Sequence, residues 1–378
     1  MTELTEDQTL IVDTARAYAQ DKLRPNASRW EEEGLDRGVL QELAGLGFGG
    51  IYVREDVGGS ALSRLDAALI FEELSRGCIS TAAFLSIHNM CAWMVDAFGD
   101  ESLRQRFLPS MTTMEKISSY CLTEPGSGSD AAALRTTAKM DDNEHYVLNG
   151  SKAFISGAGF SDMYVVMCRT GVDGPKGVSS VIVENGAAGL SFGKQEDKMG
   201  WRAQPTAIVN LEACRVSAEN RIGPEGEGFK YAMKGLDGGR LNIAACALGG
   251  AQDALDRATT YVKERKQFGK ALAEFQNTQF ALADMETELS AARSFLHTAA
   301  RKLDAKAPDA TKYCAMAKRF VTDVAYSVAD RALQLHGGYG YLKDYEVERI
   351  LRDLRVHRIL EGTNEIMRVI IARELLRA

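Results

Sequence analysis

No apolar run in the sequence approaches the roughly 18 consecutive residues that a bilayer crossing requires, so no transmembrane helix or membrane partner is expected. A basic n-region and an apolar h-region are also missing. The chain opens MTELTEDQTLIVDTARAYA, polar and acidic and then amphipathic, which predicts a soluble protein without an export signal. The expected compartment is the cytoplasm for a bacterial chain, or the mitochondrial matrix for a processed eukaryotic one. Basic clusters are absent too. Acidic and basic residues are mixed and the formal charge is -7, so nucleic acid is not an expected partner. A small phosphate-bearing ligand stays compatible, because a few arginines or a helix N-terminus can bind one at any global charge. The seven cysteines (Cys78, Cys91, Cys121, Cys168, Cys214, Cys246, Cys314) form no CxxC pair or zinc spacing and read as reduced core residues. The five histidines fall into no triad or metal spacing, so no catalytic histidine and no metal is assigned.

What is present fits an ordered, largely helical protein: 45% hydrophobic and 26% charged residues with only seven prolines. At 378 residues the chain exceeds what one core organises, and two or three domains are expected. Apolar residues recur at helical spacing up to about residue 115, as in LIVDTARAYAQDKL and LDAALIFEELSRG. Short β-rich segments follow from 120 to 216: HYVLNGSKAFIS, MYVVMCRT, VSSVIVENG and TAIVNLEACRVS. In the first, Asn149-Gly150 predicts a hairpin turn. The helical period returns near Gly226 and persists to the end, as expected of an antiparallel bundle. The resulting division is 1–118, 119–222 and 223–378.

Four stretches carry candidate chemistry. YCLTEPGSGSDAAALRT, residues 120–136, holds Gly126, Gly128 and Ala131 in G-x-G-x-x-A spacing, which raises a dinucleotide-binding turn. It follows a proline rather than a clean strand and precedes a hairpin, which argues against that reading. Two remain: a linker turn, or a close-approach loop whose N–H groups and hydroxyls (Thr123, Ser127, Ser129) touch a planar or phosphorylated ligand. ERKQFGKALAEFQ, residues 264–276, is either a solvated helix end capped by Gly269 or an Arg265 clamp for a pyrophosphate. QLHGGYGYLKDY, residues 334–345, ends a helix in a glycine-rich loop, with His336 read as a satisfied helix-end histidine. In ILEGTNEIMRVIIAREL, residues 359–375, Gly362 can cap one helix and Thr363 or Asn364 the next. Capping leaves Glu361 without a purpose. It is an ordinary loop glutamate, or a carboxylate wedged between apolar helices whose pKa is raised into the range of a general base.

YCLTEPGSGSD, NGSKAFISG, RKQFG, QLHGGYGY and ILEGTNEI, in this order on a helical, β, helical plan, resemble the acyl-CoA dehydrogenase family of flavoproteins over essentially the whole chain. SIHNMCAWMVDAFG, LNGSKAFISGAG, MYVVMCRTG and GGYGYLKDY are similar to the branch that oxidises isobutyryl-CoA in valine degradation. The alternatives are a sibling acting on 2-methylbutyryl- or butyryl-CoA, or a non-catalytic scaffold of the same fold.

The resemblance implies an α+β multidomain fold with an N-terminal helical domain, a middle antiparallel β domain and a C-terminal four-helix bundle. It implies that Glu361 takes the α-proton of an acyl-CoA thioester while the β-hydrogen leaves as hydride to FAD, giving a 2,3-enoyl-CoA. Isovaleryl- and long-chain members carry their base elsewhere, in a slot that is Gly239 here. Expected FAD contacts are Tyr120, Cys121, Leu122, Thr123, Gly128, Ser129, Phe154, Ile155, Ser156, Gln267, Phe268, Thr363, Asn364 and Glu365. Arg265, Phe275, Gln276, Gln334, Leu335, His336, Gly337 and Gly338 match positions that reach the FAD of a neighbouring subunit. Expected substrate contacts are Ser129, Asp237, Gly238, Gly239, Arg240, Gly362 and Arg373. Phe154 stands where many relatives have Trp, keeping a stacking face but losing the indole N–H. A homotetramer (a dimer of dimers) passing electrons to an electron-transferring flavoprotein completes the expectation.

Overall fold

The computed structural model describes residues 4–141 and 144–377. Among the described residues six α-helices come first: α1 (Glu6–Tyr18), α2 (Ala27–Glu33), α3 (Arg37–Gly45), α4 (Arg64–Gly77), α5 (Ile79–Phe98) and α6 (Glu101–Thr112). Capping boxes start two of them, Thr5 with Gln8 at α1 and Ser63 with Asp66 at α4, each satisfying N–H groups that a helix leaves open.

Eight strands of the described residues then form one sheet: β1 (Ser118–Cys121), β2 (Thr137–Met140), β3 (His145–Ser156), β4 (Met163–Arg169), β5 (Val178–Glu184), β6 (Leu190–Phe192), β7 (Thr206–Ser217) and β8 (Arg221–Ile222). The order is β6-β7-β3-β2-β4-β5-β8, with β1 added on β4. The expected antiparallel pattern holds except along β4, which β1 joins in parallel with Ser118 opposite Met163, and beside which β2 also runs parallel, touching it at Thr137 opposite Arg169. The loop after β1 carries the chain away instead of folding it back, so the sheet is mixed.

The expected hairpin at Asn149-Gly150 does not form. Both residues lie inside β3, which stays paired to β7 on either side, Leu148 with Cys214 and Gly150 with Leu211. Across this step β7 runs one residue longer than β3 and absorbs it as a bulge at Glu212-Ala213. Asn149 Oδ1 accepts the Ala213 N–H at 2.8 Å, and Gly150 adopts φ +150° where a Cβ would stand 2.5 Å from Thr136 Oγ1.

The C-terminal helices are α7 (Gly228–Glu264), α8 (Gln276–Asp304), α9 (Ala310–His336), α10 (Val347–His357) and α11 (Asn364–Leu376). Between α7 and α8, RKQFGKA folds as a small hairpin of β9 (Lys266–Gln267) and β10 (Lys270–Ala271). Gly269 is therefore not a helix cap. It shares the turn with Phe268, both at positive φ (+82° and +52°), the combination of a two-residue hairpin.

One apolar core runs through N- and C-terminal helices alike, for example Leu40, Phe71, Leu241, Leu289 and Val321. A second joins α5 and α6 to one sheet face and to the start of α7, through Met94, Phe107, Met163 and Tyr231. The N-terminal half of α7 is where helices from both ends and the sheet meet. All seven cysteines are buried and unpaired. Among the described residues, no helix is long and apolar enough to cross a membrane.

Candidate active site

The strap between α10 and α11, residues 358–363, starts from a locked helix end. His357 is buried; its Nδ1 pairs with the Ile243 carbonyl at 3.1 Å, and Trp201 Nε1 donates to its Nε2 at 3.1 Å. Burial pushes its pKa down to about 3, so the ring is neutral. The helix ends there, earlier than a Gly362 cap would place it. Gly362, at φ +91°, instead reverses the strap, and the Asn364 N–H returns to the Arg358 carbonyl at 3.0 Å. Thr363 caps α11 as expected, its Oγ1 accepting the Ile366 N–H at 3.3 Å. Glu361 precedes Gly362 and is itself left-handed at φ +53°, a conformation that costs a non-glycine residue energy and is held by its surroundings.

The Glu361 side chain lies against α7 at Gly239. A Cβ on Gly239 would stand 2.3 Å from Oε2 and 2.9 Å from Cδ, so a side chain at 239 would displace the carboxylate from this seat. Although Glu361 as a residue is only half-buried, Oε2 is buried and has no hydrogen-bond partner. Burial raises the carboxyl pKa to about 7, against the opposing pull of Arg240 and Lys318. Arg240 donates to Asp237 Oδ1 at 2.7 Å and to the Glu361 carbonyl at 3.4 Å, and Thr311 donates to Asp237 Oδ2 at 2.7 Å. Asp237, Gly238, Gly239, Arg240, Glu361 and Gly362 are thus brought together from two distant segments. Arg373 is not; it lies exposed on α11, about 14 Å of helical rise beyond Asn364.

Several neighbours of this cluster escaped the sequence reading. Gly238 seats the Arg64 guanidinium, which stacks over the rings of Tyr52 at 3.8 Å and Trp93 at 4.9 Å. The Tyr52 hydroxyl accepts from Asn242 Nδ2 at 2.6 Å. Lys318 is fully buried and donates to the Gly362 carbonyl at 2.8 Å and to Asn364 Oδ1 at 2.9 Å. Its signal was a lysine on the apolar stripe Cys314, Val321, Ala325, Val328 of α9; Arg64, Tyr52 and Asn242 carried no local signal.

The loop after β1 is pinned from below. Buried Lys152 donates to the Leu122 carbonyl at 3.1 Å and to Glu124 Oε1 at 2.8 Å, while Glu124 accepts the N–H groups of Arg135 at 2.7 Å and Thr136 at 2.9 Å. Cys121, Leu122 and Ile155 turn their side chains into the protein, so only their backbone can meet a ligand. Thr123 and Ser156 are half-buried, and Gly128 and Ser129 are exposed. A Cβ on Gly126 or Gly128 would meet nothing within 4 Å, so neither glycine is demanded by the protein's own packing. Phe154 is 72% exposed at φ +58°, where β3 shifts register between Lys152 and Ile155. The sheet therefore presents an aromatic face outward, as a stacking platform requires.

Arg265, Gln267, Phe268, Phe275, Gln276 and residues 334–338 form a separate cluster at the far end of α7, while Glu365 lies exposed in the first turn of α11. Arg265 stacks over Tyr339 at 5.2 Å, Phe268 is 93% exposed and meets Phe275 edge-on, and Gln276 and Gln334 are exposed. His336 is the satisfied helix-end histidine expected, Nδ1 pairing with the Ala332 carbonyl at 2.7 Å and the ring stacking on Tyr261 at 4.5 Å. Arg265 lies 26 residues along α7 from Gly239, about 39 Å of helical rise. One chain does not bring the two clusters together. Asn364 is likewise committed, its amide shared among Lys318, Thr322 and Asp323.

Family models describing the acyl-CoA dehydrogenase N-terminal, middle and C-terminal domains match residues 5–115, 119–214 and 226–376. The chain belongs to the acyl-CoA dehydrogenase family. It is 59% identical to the mitochondrial isobutyryl-CoA dehydrogenase of Dictyostelium discoideum over 98% of this chain and 90% of that protein. Butyryl-CoA dehydrogenase from Megasphaera elsdenii superposes with a TM-score of 0.96 at 39% identity, covering all of both chains. A chain in the structure of the electron-transferring flavoprotein of Acidaminococcus fermentans superposes with a TM-score of 0.95 at 42% identity, again over all of both chains.

Proposed function

We propose that this enzyme dehydrogenates a short branched acyl-CoA, isobutyryl-CoA to methacrylyl-CoA in valine breakdown, with FAD as its cofactor and an electron-transferring flavoprotein as electron acceptor. The observation that carries the reading is the Glu361 carboxyl, seated on Gly239 with one oxygen buried and unpartnered and its pKa raised to about 7. An α-proton beside a thioester is weakly acidic, and a carboxylate drawn from water is better matched to it than an exposed one. Among the described residues the Glu361 N–H has no acceptor, which leaves it to donate to the thioester carbonyl as charge builds there.

The flavin fits the residues present: Phe154 as the aromatic face, the hydroxyls of Thr123, Ser129 and Ser156, the backbone of 120–122 and 128, and Thr363 and Glu365 from the strap end. FAD, when bound, supplies the acceptor for the β-hydrogen and its electron pair. The protein's own residues hold the thioester, take the α-proton at Glu361 and keep water from the carboxyl. A second copy of the chain would supply Arg265, Gln267, Phe268, Phe275, Gln276 and residues 334–338, which lie too far from Glu361 to serve it in their own subunit. This supports a homotetramer built from dimers. Such a chain works in the bacterial cytoplasm or the mitochondrial matrix, the latter supported by the mitochondrial relative.

The test is an acyl-CoA panel with a dye acceptor. Isobutyryl-CoA should be the preferred substrate; equal or better turnover of butyryl-CoA would overturn the substrate choice. Glu361→Gln should keep FAD and acyl-CoA binding and lower kcat by roughly two to four decades, and unchanged turnover would place the base elsewhere.

A further inference from the structure

Lys318 is the one lysine in α9 that faces the protein interior without an ion-pair partner among the described residues. It sits on a stripe where Cys314, Val321, Ala325 and Val328 are all buried, a setting in which leucine or methionine would satisfy packing at no desolvation cost. Its ammonium is spent on the strap: Nζ donates to the Gly362 carbonyl at 2.8 Å and to Asn364 Oδ1 at 2.9 Å. Those acceptors flank Thr363, directly after Glu361. The same Asn364 amide donates to Thr322 Oγ1 at 3.0 Å and Asp323 Oδ1 at 3.0 Å, so the strap is tied to α9 through a single polar knot.

We propose that Lys318 is a positioning residue for the base. Its ammonium holds the strap so that the Glu361 carboxylate stays on Gly239, and its charge faces that carboxylate and favours the ionised form that accepts the proton. The proposal rests on the reading of Glu361 as base.

The groups around both residues are few. Glu361 faces Arg240 and Cys246 on α7, Lys318 on α9, Tyr52 ahead of α4 and Tyr120 on β1. Lys318 faces Glu361, Arg240, Asp323, Glu365 and neutral His357. Arg240 is paired with Asp237, and Asp323 with Arg358 at 2.8 Å, so their charges are already balanced. Arg64, seated at Gly238 and over Tyr52, is a further cation of the cluster without an ion-pair partner among the described residues, beside Asp237 and Tyr52. Glu361 is the carboxylate left unpaired, and Lys318 is the unpaired cation that also holds the strap. Burial lowers the ammonium's pKa to about 7, against Glu361, which raises it. The two groups therefore change charge in the same pH range and each stabilises the other's ionised form.

The experiment is the pH profile of kcat/KM for isobutyryl-CoA with the FAD-loaded enzyme, in Lys318→Met and Lys318→Gln beside Lys318→Arg. Removing the cation disfavours the carboxylate, so both neutral variants should move the acid limb up by about one pH unit or more. On that limb one unit is a tenfold loss of kcat/KM, recovered at alkaline pH. Lys318→Arg should keep the wild-type midpoint even where its plateau falls. A second readout needs no turnover: the infrared band of the protonated carboxyl, assigned by its loss in Glu361→Gln, should titrate at higher pH in the neutral variants.

A purely structural lysine would lower the melting temperature and scale activity down equally at all pH values. An unmoved midpoint in both neutral variants overturns the proposal, as does failure of both to fold and retain FAD, which would assign the residue to the fold. Full activity of Glu361→Gln would instead overturn the assignment of the base itself.

Discussion

Gly239→Ala isolates the geometry on which the chemistry depends. The new methyl would stand 2.3 Å from Glu361 Oε2 and 2.9 Å from Cδ. To restore an ordinary contact the carboxylate must retreat by about 1 Å. That retreat is cheap for stability, because the atoms that move are the far end of a flexible side chain, and alanine in mid-helix gains up to about 1 kcal/mol over glycine. For catalysis it is costly. A displacement of about 1 Å in a reacting group loses on the order of 100-fold, or about 2.7 kcal/mol of barrier. The expected outcome is a roughly 100-fold lower kcat/KM for isobutyryl-CoA, with wild-type FAD content and a melting temperature equal to or above wild type. A variant within twofold of wild-type kcat/KM would refute the placement of the base on Gly239. A variant that unfolds would refute the claim that only the carboxylate end is displaced.

Ionising Glu361 should weaken the fold. Its pKa rises from 4.5 to about 7 in the native protein, so its stabilising contribution is present below about 4.5 and is lost as pH rises through about 7. Glu361→Gln lacks this loss, so its stability relative to wild type in urea should improve between pH 5 and pH 8; the same difference at both pH values would contradict the burial argument. Phe154→Ala removes an exposed ring that the apo fold does not need and should weaken FAD retention while leaving apo stability at wild type; undiminished FAD content after dialysis would remove Phe154 from the flavin site. Lys152→Met deletes one partner of a buried pair and should cost about 3–5 kcal/mol in chemical denaturation. A loss below 1 kcal/mol would mean that the N–H groups of Arg135 and Thr136 suffice to hold Glu124.

Errors of the sequence reading share one cause. Asn149-Gly150 carries a strong local hairpin signal, and Gly269 a local signal compatible with a helix cap, worth a kilocalorie or so each. At Asn149-Gly150 the pairing with β7 on both sides outweighs the turn preference, and the pair stays in the strand opposite a bulge of β7 at Glu212-Ala213. At Gly269 the glycine signal was sound, but the partner strand, only two residues long, was too short to show a period. Gly362 was expected to cap the helix before it; the His357 hydrogen bonds end that helix sooner and leave the glycine to shape the strap. Lys318 was visible as a lysine on an apolar stripe, yet nothing local says which carbonyl it serves.

The order of helical and β-rich regions, the isolation of Glu361 in a helix junction and the absence of a side chain at 239 were determined by the sequence itself. Periodicity and residue type are local properties, and they survive in one dimension. Tertiary structure alone decided that Glu361 lies on Gly239, that Lys318 ties the strap, that Arg64 stacks on Tyr52, and that β1 joins the sheet parallel to β4. Each of these depends on which distant segments share a core, and burial, which sets the base's pKa, exists only once they do.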